Sequence, residues 1–161
     1  MKISYARLGR EDHLAIEARL EIRKRNYLRC LEGTLDNFDG VLIVGDKPGP
    51  SAPKDPGYHH TPFYSTKHCS GWLNSLLHIK GIPEEKLVWI NSADKDGNPT
   101  DFSIVEKLNP DVTIALGGNA AKWLTKNGKQ DFIKHLHPQF WKRFRNSEPY
   151  TIVDILSLIP H

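Results

Sequence analysis

The sequence predicts an α/β fold, a three-layer α/β/α sandwich around a four-stranded, mostly parallel sheet. Three observations carry that expectation. Short continuous apolar runs, 41-VLIVG-45, 86-KLVWINS-92 and 112-VTIALGG-118, are typical of strands covered on both faces. Amphipathic stretches separate these runs, so strands and helices alternate along the chain. The 161 residues, 39% apolar and 25% charged, suit one folded domain with a substantial core rather than a disordered chain.

Each element follows from local pattern. Leu14, Ile16, Leu20, Ile22 and Leu28 form a partly regular apolar stripe over 10–31, which predicts a helix. Residues 1–39 are then a helical extension packed on a single domain spanning 1–161. The strand 41–45 runs into a long loop rich in proline and glycine. Such a loop in a small domain is usually functional or mobile. Trp72, Leu73, Leu76 and Leu77 place a helix over 69–79, and a second strand, 86–92, ends near Asn91. After the turn-rich 94-DKDGNPTD-101, Thr100 is expected to cap a helix over 101–108. Pro110 precedes the third strand, 112–118; Asn119 is expected to cap a helix over 120–127, which Gly128 ends. A fourth short strand over 131–137 runs into Pro138. The last helix is expected over 151–159. In 140-FWKRFR-145, Phe140, Trp141 and Phe144 would face inward and Lys142, Arg143 and Arg145 solvent or phosphate.

Composition narrows the function classes. The net charge of +3, from 22 basic and 19 acidic residues, is compatible with a nucleic-acid partner without requiring one. No window approaches the ~20 apolar residues of a membrane span, and MKISYARLGRED lacks a signal peptide's apolar core. A cytoplasmic monomer with no membrane partner is therefore expected. Cys30 and Cys69 are too few for a disulfide framework or a four-cysteine iron–sulfur site and read most simply as buried fillers. His59, His60 and His68 match no zinc spacing. No cofactor or metal is expected, and the absence of GxGxxG and GxxxxGK[ST] loops argues against a dehydrogenase or kinase.

The chemistry-bearing residues fall at strand ends, where ligands bind in such sheets. Asp46 in 45-GDKPG-49 either caps a turn or faces a cleft whose ligand approaches the backbone at Gly45. Phe63 in 61-TPFYS-65 is either a core anchor or a stacking platform. Asn91 either caps the next turn or reads the edge of a heterocycle with its donor and acceptor. Gly117 and Gly118 permit close backbone approach. His137 precedes Pro138, which holds its backbone extended.

Taken in order, 41-VLIVGDKPG-49, 61-TPFYSTKHCSGWLNSLL-77, 88-VWINSADK-95, 112-VTIALGGNAAKWL-124 and 135-HLHP-138 resemble the uracil-DNA glycosylase superfamily. The branch most similar has Gly-Glu-Ala-Pro-Gly as its first motif. The resemblance covers roughly residues 40–141 and rests on the order of five motifs, not on any single one. It implies sheet order 2-1-3-4 and removal of uracil or a modified pyrimidine-type base from DNA by base flipping. Asp46 takes the place of the acid that activates water or stabilises the sugar cation. Phe63 takes that of the stacking aromatic, Asn91 that of the base-reading asparagine, and His137 that of the histidine that assists the leaving base. Gly45 would line the base site, with Lys47, Ser51, Lys142, Arg143 and Arg145 toward phosphate or DNA. The chain departs from that branch in having aspartate for glutamate, Lys47 for a small residue, Gln139-Phe140-Trp141 after the His-Pro pair, and no cluster cysteines. Two further expectations share the fold: a glycosidase acting on a free or modified nucleotide, and a non-catalytic module that binds nucleic acid or protein.

Overall fold

A computed structural model describes residues 7–47, 63, 68–144, 152 and 156, and only the backbone of residues 68, 69 and 142–144. The elements are α1 (Arg10–Leu31), β1 (Val41–Gly45), α2 (His68–Ile79), a 3-10 turn (Glu84–Lys86), β2 (Leu87–Asn91), α3 (Ser103–Glu106), β3 (Val112–Leu116), α4 (Gly118–Lys126), β4 (Ile133–His135) and α5 (Pro138–Phe144). The four strands form one sheet, ordered β2-β1-β3-β4, with every neighbouring pair parallel. Parallel strands need crossover segments that cover the sheet, so β1 and β2 are buried along their whole length.

Alternation along the strands builds two cores. Val41, Ile43, Leu87, Trp89, Ile114 and Leu116 face α2 and Trp141 of α5; Ile152 and Leu156, helical and four apart, join them. Leu42, Val44, Val88, Ile90 and Ala115 face Tyr27 and Cys30 of α1, Val105 of α3 and Trp123 and Leu124 of α4. The expected α2 stripe of Trp72, Leu73, Leu76 and Leu77 is fully inside. No helix among the described residues is long and apolar enough to cross a membrane.

The inward face of α1 is not the expected one. Ile16, Leu20, Arg23, Asn26, Tyr27 and Cys30 are buried, whereas Leu14 is 54% exposed. An edge strand leaves backbone groups that need partners. At the β2 edge Asn26 Nδ2 donates to the Leu87 carbonyl at 3.1 Å, so polar side chains take inward positions there.

Several boundaries also move. The helix expected over 101–108 is the single turn α3. Thr100 does not cap it; its hydroxyl donates to the Asn91 carbonyl at 2.7 Å, and Asp101 Oδ1 accepts the Ser103 N–H at 3.0 Å. Asn119 lies inside α4, after Gly117, and makes no cap. Gly128, at φ 87°, follows the helix end as expected. Phe140 is 43% exposed and Trp141 buried, because the seven-residue α5 turns only one of these two rings toward the sheet. The Phe144 side chain, and all of the helix expected over 151–159 except residues 152 and 156, lie outside the described residues.

Candidate active site

In order 2-1-3-4 the chain leaves β1 toward one sheet edge and returns as β3 on the other side. The crevice outside the C-terminal ends of β1 and β3 is therefore the topological switch point, where ligands bind in open α/β sheets. Asp46 leaves one side of it and Gly117-Gly118-Asn119 the other. The Asp46 backbone is fixed by pairing that continues past the strands. The Gly45 carbonyl accepts the Ser92 N–H at 3.0 Å, and the Asp46 carbonyl accepts the Ala93 N–H at 3.1 Å and the Ser92 hydroxyl at 3.2 Å. Across the crevice, Asn119 Nδ2 donates to both Asp46 carboxylate oxygens, at 3.2 Å each. Gly117 adopts φ 98°, and an added β-carbon would lie 3.4 Å from His137 Cβ. That distance is ordinary van der Waals contact, so it is the backbone conformation that favours glycine.

His137 presents a defined tautomer. The Gln139 N–H donates to its Nδ1 at 3.1 Å, so in the neutral ring Nδ1 accepts and the proton sits on Nε2. Burial pushes its pKa below the ordinary histidine value, and the Asp46 carboxylate opposes that shift. At neutral pH the ring is therefore an uncharged Nε2–H donor.

The Phe63 ring lies 5.4 Å from the His137 ring, tilted by 54°, and 5.9 Å from Trp89 in an edge-to-face pair. Its backbone is in the left-handed region, at φ 59°, which costs a non-glycine residue on the order of 1 kcal/mol. Such a conformation persists where the surroundings hold it. Here the Phe63 carbonyl accepts from Asn74 Nδ2 at 2.8 Å and from Arg23 Nη1 at 3.1 Å.

Asn91 ends β2 beside Gly45 and lies on the same sheet face as Trp89, two residues before it. It is 1% exposed, and its Nδ2 has no hydrogen-bond partner among the described residues. Buried polar atoms in folded proteins are overwhelmingly paired. An unpaired amide donor at the sheet's ligand-binding edge suits a carbonyl oxygen brought by a ligand.

No protein-family model and no curated protein matches this chain. Asp46 and His137 interact electrostatically, His137 and Phe63 touch, and Asn91 is joined to Gly45 by strand pairing and to Thr100 through its carbonyl. Gly45 is buried and Lys47 exposed. Lys142 and Arg143 belong to α5, but their side chains, like all of Ser51 and Arg145, lie outside the described residues. Among the described residues no group of three His, Cys, Asp or Glu side chains could hold a metal ion.

Sequence reasoning missed Asn119, Ser92, Asn74 and Arg23 as parts of this region. Arg23 carried a readable signal, because it interrupts the helical series Ile16, Leu20, Tyr27 and Cys30 at an inward position. Asn119 carried none beyond its place after two glycines.

Proposed function

We propose that the chain hydrolyses the N-glycosidic bond joining uracil, or a modified pyrimidine-type base, to deoxyribose in DNA. The observation that carries this reading is the buried, unpaired Asn91 Nδ2 at the end of β2, next to the strand that delivers Asp46. An amide that can donate to a ring carbonyl fits a base edge. The half-buried Phe63, packed against the same sheet face, supplies a surface for stacking.

As the C1′–N bond stretches, positive charge develops on the sugar and negative charge on the base. The Asp46 carboxylate stabilises the first and orients the attacking water, with its two oxygens held by Asn119. The uncharged His137 donates its Nε2–H to the base oxygen on which negative charge grows, a charge-assisted contact formed as the bond breaks. The water oxygen bonds to C1′, and the base leaves with the bonding pair and takes up a proton. In duplex DNA the base must first be flipped out of the stack. The exposed Lys47 next to Asp46 favours one second reading, a free or modified nucleotide whose phosphate meets that ammonium.

The test is mass detection of free base from a panel of modified oligonucleotides and mononucleotides, with Asp46→Asn as control. Base release from oligonucleotides that is lost in the variant is the expected result. Release from mononucleotides alone moves the substrate to the second reading. Salt-dependent DNA binding without release by the wild-type protein would refute hydrolysis and leave a binding module.

A further inference from the structure

We infer that α1 is part of this site, and that Arg23 in its middle is a positioning residue for the Phe63 ring; the inference rests on the base-stacking role proposed above. Arg23 is fully buried, and its guanidinium does three things at once. Nε and Nη2 donate to Glu84 Oε1 and Oε2 at 2.6 and 3.3 Å. Nη1 donates to the Phe63 carbonyl at 3.1 Å. The guanidinium carbon lies 4.2 Å above the Trp89 ring, a cation–π contact.

Trp89 is tied into the same network, since its Nε1–H donates to Glu84 Oε1 at 2.9 Å. It also packs edge-to-face on Phe63. One side chain therefore reaches both the Phe63 carbonyl, which Asn74 also holds, and the indole on which the Phe63 ring packs edge-to-face. Glu84 alone accounts for Nε and Nη2. The remaining nitrogen, Nη1, reaches 40 residues along the chain to a backbone carbonyl. A planar five-donor fork meets these demands together, and a lysine ammonium does not. Arg19, one turn earlier, holds Glu84 Oε2 at 2.6 Å and the Ile82 carbonyl, so the anchor is itself held from α1. A stacking surface for a flat ring would then be set by a helix lying outside the motifs at the strand ends.

Removing Arg23 leaves the buried Glu84 carboxylate paired with Arg19 and accepting from Trp89, so the main variant is the single substitution Arg23→Met. Arg23→Lys, which keeps a cation opposite Glu84, is the second. Near-UV circular dichroism establishes that each is folded. One readout is independent of activity: the ring-proton resonances of His137, which feel the Phe63 ring current. Both variants are expected to move them toward their positions in Phe63→Ala. In base release, Arg23→Met is expected to lower kcat/KM at least tenfold. Adding Phe63→Ala should then lower it less than twofold further, because the substitutions act on one element. Unchanged His137 resonances in folded variants, or losses that multiply, would overturn the role of Arg23. If the wild-type chain releases no base, hydrolysis fails while the resonance comparison still decides whether Arg23 sets Phe63.

Discussion

Asn91 offers the sharpest separation of function from stability. Its side chain is 1% exposed with Nδ2 unpaired, and leaving a buried donor unsatisfied costs about 1–3 kcal/mol. Asn91→Val removes that donor and puts a β-branched residue at a strand position, where such side chains pack well. The replacement should therefore stabilise the ligand-free fold by about 1–2 kcal/mol once repacking is included. For a chain of this size each kcal/mol moves Tm by about 2–4 °C, so a rise of roughly 2–8 °C is expected. Base release should fall at least ~100-fold, since about 2.7 kcal/mol of transition-state contact corresponds to that factor. Differential scanning calorimetry and single-turnover base release measure the two effects in one preparation. A variant that loses more than ~2 kcal/mol of stability would show that the amide supports the fold. A variant that keeps full activity would show that it does not read a base. Either result refutes the reasoning.

Three further outcomes are expected. Asn119→Ala removes the one Nδ2 donor that the two Asp46 carboxylate oxygens share and should lower kcat about tenfold, the loss of a single charge-assisted donor; KM and Tm should stay unchanged, because the side chain is exposed. Burial lowers the His137 pKa below 6.5 in the folded state, so as pH falls through 6.5 the unfolded chain takes up this proton first. The stability contributed by the neutral ring is complete above 6.5 and declines from there down to the folded-state pKa, so urea midpoints measured from pH 7.5 to 5 should fall less steeply in His137→Gln. Cys30 is 3% exposed, its thiol is pushed up to about 11 by burial, and it donates to the Ile104 carbonyl; in a Cys69→Ser background the native protein should resist a thiol-reactive dye at pH 8 and react in denaturant.

The sheet was legible because its information is local. VLIVG, LVWIN and VTIAL are continuous apolar runs of the kind doubly covered strands carry, and their spacing leaves room for crossovers. The order 2-1-3-4 was expected from the family resemblance and agrees with the observed pairing. What the sequence left hidden depends on contacts between distant segments. Thr100 and Asn119 have the chemistry of helix caps, yet both side chains turn to partners on other elements, the Asn91 carbonyl and the Asp46 carboxylate. Local propensity ranks such residues for caps and carries no knowledge of a competing tertiary acceptor. Likewise the stripe on α1 looked irregular because its inward positions serve a strand edge and a buried ion pair rather than an apolar face. The placement of Asp46, Asn91 and His137 at strand ends could be read from the chain. The left-handed backbone of Phe63 and its support by Arg23 and Asn74 could not.

In the proposed function, Asp46, Phe63, Asn91 and His137 make a site that cleaves an N-glycosidic bond in DNA. The most direct measurement follows a uracil-containing oligonucleotide under single-turnover conditions. It counts free base by mass and abasic sites by alkaline strand cleavage in the same samples. Equal amounts of base and abasic site with the wild-type chain, both falling at least ~100-fold with Asp46→Asn, are expected. Neither product from the wild-type chain, or both at unchanged rates from Asp46→Asn, would contradict the claim.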